Sequence, residues 1–130
     1  MNLTIVTPER KVLDKEVDEV VLPGVQGYLG VLPGHAPLLT SLQVGEIAYR
    51  SGGATEYAAV AWGFLEVLDD HVRVLADTAE RSEEIDVERA RRAHERATER
   101  LSKGGDDLDW DRARAALMKA LIRIQVAERR

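Results

Sequence analysis

Leu65-Glu66-Val67-Leu68-Asp69-Asp70-His71-Val72-Arg73-Val74 is the stretch on which the fold turns. Apolar and polar residues alternate on both sides of Asp69-Asp70, as in two half-buried strands joined by a short loop. With the two aspartates as the loop, Val67 faces Val72 and Leu65 faces Val74, while Glu66 faces Arg73 on the other side. Apolar residues meet apolar ones and opposite charges meet, as a stable cross-strand register requires. A second hairpin is expected around Ser51-Gly52-Gly53-Ala54, joining Glu46–Arg50 to Thr55–Val60. Short strands with turns about every 8–12 residues point to a sandwich or barrel.

Upstream, residues 20–45 contain no Asp, Glu, Lys or Arg. They hold Pro23, Pro33 and Pro37 and five glycines, too many breaks for a helix that must satisfy its backbone in lipid. Tight strands and turns are expected there, together with a contact surface. Downstream the composition changes. Residues 1–78 carry 5 basic and 11 acidic side chains, and residues 79–130 carry 13 and 12. All four prolines and eight of ten glycines lie in the front part, so a domain boundary is placed near Asp77-Thr78-Ala79. The tail, 79–130, reads as two helices. Asp86 is a good N-cap for the first, Gly104-Gly105 stops it, and Asp109 caps the second. Val87, Ala90, Ala93, Ala97 and Leu101 form one apolar stripe; Trp110, Ala113, Leu117, Ala120, Leu121 and Ile124 form the other. A short link makes the pair antiparallel, and the alanines let the axes approach.

The whole chain has 130 residues, 45% of them hydrophobic, enough for a core without staples. With no cysteine it has no disulfide, thiolate metal site or cysteine nucleophile, which fits a reducing compartment. A net charge of −5 argues against a general nucleic-acid binder. No basic stretch leads into an apolar run after Met1, so no secretory leader is expected. His35, His71 and His94 are not spaced as metal ligands, no serine sits in Gly-x-Ser-x-Gly, and phosphate-loop and dinucleotide fingerprints are absent. Neither catalytic residues nor metal ligands are therefore assigned. Glu83-Glu84 and Asp106-Asp107 are read as solvated pairs. A free-standing nucleotide-binding module and a small β-fold metalloenzyme stand as alternative classes. Co-purification with partner proteins tests the first, and a metal assay the second.

Leu29-Gly30-Val31-Leu32-Pro33-Gly34-His35-Ala36-Pro37-Leu38 resembles the loop-and-strand signature of the epsilon subunits of F-type ATP synthases. Gly63-Phe64-Leu65-Glu66-Val67, Val74-Leu75-Ala76-Asp77-Thr78-Ala79-Glu80 and Ile85-Asp86-Val87-Glu88-Arg89-Ala90 follow in the same order, and Asp106-Asp107 with Arg112-Ala113 resembles the second helix. The match covers essentially the whole chain. It implies an α+β protein: an antiparallel β-sandwich of about ten strands over 1–78, then an antiparallel α-helical hairpin over 79–130.

The resemblance also implies a role. The family member is a non-catalytic central-stalk subunit that couples the catalytic head to the membrane rotor during proton-driven ATP synthesis. Its sandwich binds the gamma subunit and the rotor-ring c subunits. Its hairpin folds onto the sandwich or extends toward the alpha/beta head, restraining ATP hydrolysis. No nucleic acid and no transmembrane segment of its own are implied, and the expected location is peripheral, on the cytoplasmic face of the bacterial inner membrane. No cofactor is required, although some members bind ATP on the folded hairpin. Carried over position by position, the ATP contacts are Glu80, Asp86, Arg89, Arg96, Lys119 and Arg123, carboxylates for the adenine amino group and cations for the phosphates. The rotor and gamma contacts are Tyr28, Leu29, Val31, Leu32, His35 and Pro37, expected as an exposed apolar strip. Arg112, Arg114, Lys119 and Arg123 give the second helix the basic character suited to the head, and folding is expected to hide Leu117, Leu121 and Ile124. The sequence departs from the family pattern at three places. Tyr28 replaces a frequent acidic residue, Trp62-Gly63 replaces Gly-Gly, and Lys119 replaces an arginine of the ATP-binding members.

Overall fold

The structure, a computed structural model, describes residues 1–130. Eight strands precede two helices: β1 (Asn2–Val6), β2 (Lys11–Glu16), β3 (Glu19–Gly24), β4 (Gly27–Val31), β5 (Leu38–Leu42), β6 (Gly45–Ser51), β7 (Ala54–Leu68), β8 (His71–Arg81), α1 (Val87–Lys103) and α2 (Trp110–Ala127). The β7–β8 hairpin has the expected register, with Leu65 opposite Val74, Glu66 opposite Arg73 and Val67 opposite Val72. Asp69 and Asp70 both sit at positive φ (49° and 59°). That is the type I′ turn whose twist suits an antiparallel pair, in a residue type that tolerates it. Gly52-Gly53 joins β6 to β7 in the same way, with φ of 58° and 83°.

β7 makes the sandwich. Over Ala54–Val60 it pairs with β6, and over Gly63–Val67 it pairs with β5. Between these halves Trp62 takes φ 52° and Gly63 φ 125°. The corner admits no other side chain at 63, because a Cβ there would lie 1.9 Å from the Leu75 carbonyl oxygen. One layer is thus β4-β3-β6 with the first half of β7 and the end of β8. The other is β5, the second half of β7, the start of β8, β1 and β2. Only β1 and β8 pair in parallel. The count of eight strands against about ten expected reflects the two long ones: divided at the corner, β7 and β8 each serve both layers. The last strand also continues to Arg81, past the boundary placed near residue 78.

Leu3, Ile5, Val20, Leu22, Ile47, Leu65, Val72 and Val74 are among the 18 residues of the inter-layer core. Val31 belongs to this core, fully buried, which corrects its expected place on an exposed strip. Strand parity decides the matter: Val31 pairs with Val20, whose side chain points inward, so Gly30 and Leu32 take the outer side.

The hairpin forms as its caps dictate. Asp86 accepts the Arg89 amide and Asp109 the Arg112 amide, at 3.1 and 3.0 Å. Gly104, at φ 61°, closes α1. Ala90 and Ala97 of α1 and Ala113 and Ala120 of α2 are buried, small enough for close packing. The hairpin lies folded on the outer face of the β6–β7 layer, where Ala59, Ile85, Val126 and Ala127 form a second buried cluster flanked by Tyr57, Val87 and Ile122. Leu117 and Ile124 are half-buried, as folding requires, but Leu121 is 46% exposed. The expectation that folding hides it is corrected. α2 uses one side for α1 and another, through Ile122 and Val126, for the sandwich, and this leaves Met118 and Leu121 on a third side.

Candidate functional site

A cavity of about 180 Å³ opens where the folded hairpin meets the sandwich. Ala59, Val60 and Ala61 of β7 and Thr78, Ala79 and Glu80 of β8 line one side; Arg89 of α1 with Lys119, Ile122 and Arg123 of α2 line the other. Four of the six residues assigned to ATP from the sequence therefore converge: Glu80, Arg89, Lys119 and Arg123. The remaining two do not line it. Asp86 spends a carboxylate oxygen on its cap. Arg96 is exposed on α1; seven residues from Arg89, it shares that residue's side of the helix but stands ~10 Å along the axis.

Within the cavity, Arg123 reaches across the seam to Glu80. Its Nη2 donates to Glu80 Oε2 at 3.3 Å, and its Nε lies 3.0 Å from Oε1, close enough for charge pairing but misaligned for a hydrogen bond. Lys119 places its ammonium 5.9 Å from the centre of the Trp62 ring, a cation–π distance. Trp62 thereby borders the site from the strand corner, a role its sequence context did not reveal. Three cations stand against one carboxylate beside a small-residue floor. Such a set suits an anion attached to a flat, partly apolar body. The volume is below the ~300–1,000 Å³ of an ordinary small-molecule pocket, so the cavity accommodates part of such a ligand and leaves the rest outside.

The other sequence-assigned groups are dispersed. Leu32, His35 and Pro37 are exposed in the β4–β5 loop, which Gly34 ties to the Asp70 turn by donating its amide to Asp70 Oδ1 at 2.8 Å. Tyr28 lies at the other end of β4, its hydroxyl accepting the Glu46 amide at 3.1 Å, and Leu29 is half-buried against the core. One continuous strip is not formed. The larger exposed apolar group is elsewhere, on the outer face of the second layer: Leu39 (70% exposed), Phe64 (56%) and Leu75 (58%). Phe64 stands opposite Leu75 in the ladder. The signal for it was available, since Leu65 and Val67 fix the inward parity of β7 and so put Phe64 on the outside. Of the basic residues of α2, Arg112 and Arg114 are exposed, whereas Lys119 and Arg123 face the cavity. No three His, Asp or Glu side chains gather as metal ligands, and no helix is long and apolar enough to cross a membrane.

The model of the ATP synthase delta/epsilon chain β-sandwich domain matches residues 1–82, and that of the long α-helix domain of the same chain matches 83–128. The ATP synthase epsilon chain of Moorella thermoacetica is 56% identical over 128 residues, covering 98% of this chain and 96% of that one. The epsilon chain of Desulforamulus reducens is 52% identical over 126 residues, covering 97% and 96%. Among solved structures, a chain of the Euglena gracilis mitochondrial ATP synthase, in a complex of OSCP, F1 and c-ring, superposes with a TM-score of 0.69 at 26% identity, over 97% of this chain and 76% of that one. A chain of the Tetrahymena thermophila mitochondrial enzyme's central stalk and c-ring shares the fold at a TM-score of 0.57 and 15% identity, over 98% and 93%. With both domain models matched in order and relatives aligned end to end, this chain belongs to the ATP synthase epsilon chain family.

Proposed function

We propose that the chain is the non-catalytic central-stalk subunit of a proton-translocating ATP synthase, with a hairpin that regulates hydrolysis and binds ATP in its folded form. The observation that carries the regulatory part is the seam itself. Glu80, Arg89, Lys119 and Arg123 come from three separate elements and meet only when the hairpin is down. A ligand that spans them favours the folded state by its differential affinity for it. In this reading the cations take the phosphates and Glu80 accepts from the adenine amino group. Arg123 must then leave Glu80 as the nucleotide enters.

The sandwich serves as the stalk-binding part. Leu39, Phe64 and Leu75 suit the gamma subunit, and the loop with Leu32, His35 and Pro37 suits the rotor ring, which would hold the chain at the cytoplasmic face of a bacterial membrane. When extended, α2 presents its basic residues, Arg112 and Arg114 among them, to the alpha/beta head. The deciding experiment reconstitutes the chain with gamma and the catalytic head. Deleting residues 106–130 should leave assembly intact and raise ATP hydrolysis at low ATP. Unchanged hydrolysis would remove the inhibitory role, and failure to co-purify would remove the stalk role.

A further inference from the structure

The residues just past the end of α2 are attached differently from the helix itself. Arg129 and Arg130 make their contacts with the sandwich and with the segment leading into α1. Arg129 grips Glu46 of β6 with both Nε and Nη2, at 2.9 and 3.2 Å. Its guanidinium also lies over the Tyr57 ring, 4.7 Å from the centroid. The Glu46 side chain is only 11% exposed, so it has little water to fall back on. Arg130 Nη1 donates to the Ser82 and Ile85 carbonyls at 3.1 and 3.2 Å. Those carbonyls belong to the short stretch between β8 and α1, about which the hairpin would have to turn to leave the sandwich. Just before the two arginines in the chain, Val126 and Ala127 are buried in one cluster with Ala59 and Ile85.

We propose that Arg129 and Arg130 form a latch that holds the hairpin on the sandwich without nucleotide. Arg129 fastens the end of α2 to β6, and Arg130 fixes the backbone of the hinge. Arg129 supplies a planar fork to a carboxylate, and Arg130 joins two carbonyls through one terminal nitrogen, Nη1. The latch and the cavity share no ion pair: Arg129 holds Glu46, whereas Arg123 pairs with Glu80, although Glu46 stands opposite the cavity-lining Ala59 in the ladder. Release of the latch is a distinct step of hairpin opening. It frees two guanidinium groups, so an acidic partner surface competes with Glu46 and the hinge carbonyls for them.

The test uses the full chain without nucleotide, in a Trp110→Phe background that leaves Trp62 as the sole tryptophan. Trp62 emission reports the Lys119 contact, ten residues or ~15 Å along α2 from Arg129, and amide exchange reports the hinge at 82–86. Arg129→Ala should speed exchange at the hinge and along α2 about tenfold, the scale of losing one bidentate charged pair, and shift Trp62 emission. Glu46→Gln, nearly isosteric, should do the same. Combining the two should add little to either alone, because both remove one interaction. Arg130→Ala should act mainly at the hinge amides. Faster exchange confined to Glu128–Arg130, with Trp62 emission unchanged, would mean mere fraying and overturn the latch. Fully additive effects of Arg129→Ala and Glu46→Gln would overturn the pairing on which it rests.

Discussion

Arg123 of α2 and Glu80 of β8 approach to 3.0 Å across the seam between hairpin and sandwich, so in the folded chain the cavity's carboxylate is held by one of the cavity's own cations. The pair does part of a ligand's work, binding the two domains together. Both side chains are largely shielded, 20% and 31% exposed. Arg123→Ala should therefore weaken hairpin docking by about 1 kcal/mol. It should also lower ATP affinity at least ~10-fold if the guanidinium clamps phosphate. Calorimetric titration of wild type and variant with ATP checks the second effect, and thermal unfolding checks the first. Equal affinities would place the phosphates elsewhere.

Val31 and Leu32 are neighbours with opposite fates. Val31→Asp puts a carboxyl into a dry core and should cost ~4 kcal/mol or more, enough to unfold much of the sandwich. Leu32, 55% exposed, should accept Asp with little change in melting temperature. Circular dichroism melts separate the two cases. Only Leu32→Asp then informs on assembly, through loss of co-purification with the rotor ring.

Gly63→Ala tests the corner. The new methyl would meet the Leu75 carbonyl oxygen at a φ of 125°, so the two layers could not keep their angle. A loss of at least ~3 kcal/mol is expected from strain and displaced pairing. Gly53→Ala, with a positive φ but open space around it, should cost less. Denaturant unfolding of both variants supplies the comparison.

Acid should act through Glu84. Burial raises its pKa, but the Arg10 guanidinium 2.9 Å away and the hydrogen bond from the Arg81 amide outweigh this and leave it below the usual 4.5. A carboxyl lowered on folding stabilises above its unfolded pKa, and the contribution fades as pH falls through the lower, folded value. Glu84→Gln should thus melt below wild type at pH 7, with the gap closing as pH drops below about 4.5. A gap that persisted undiminished at pH 2 would assign the effect to packing.

The local devices were legible in the sequence. The Asp69-Asp70 turn and the two aspartate caps follow from short-range rules, alternation and capping, whereas the four cavity residues came from the family resemblance. What escaped depends on how finished elements meet. Whether Val31 or Leu32 faces inward is a matter of one residue of register, set by the pairing of β4 with β3. Leu121 is exposed because α2 divides itself between α1 and the sandwich, and a single-stripe reading assumes one neighbour. Arg96 shares an azimuth with Arg89, but azimuth carries no information about height along the axis. Phe64 was legible, because the parity of Leu65 already puts it outside, but its nearness to Leu39 depends on the pairing of β5 with β7.

The parallel pairing of β1 with β8 has a consequence in time. Asn2 finds its partner in His71 and Val6 in Leu75, so the two strands are separated by most of the sandwich sequence. A nascent chain keeps β1 waiting, with one edge unmatched, until β8 has been made. Such distant closure is entropically slow, whereas α1 and α2 meet through a short link and zip locally. Synthesis from the amino end nonetheless brings all eight strands out ahead of α2. The hairpin then arrives last, on a surface already built to receive it.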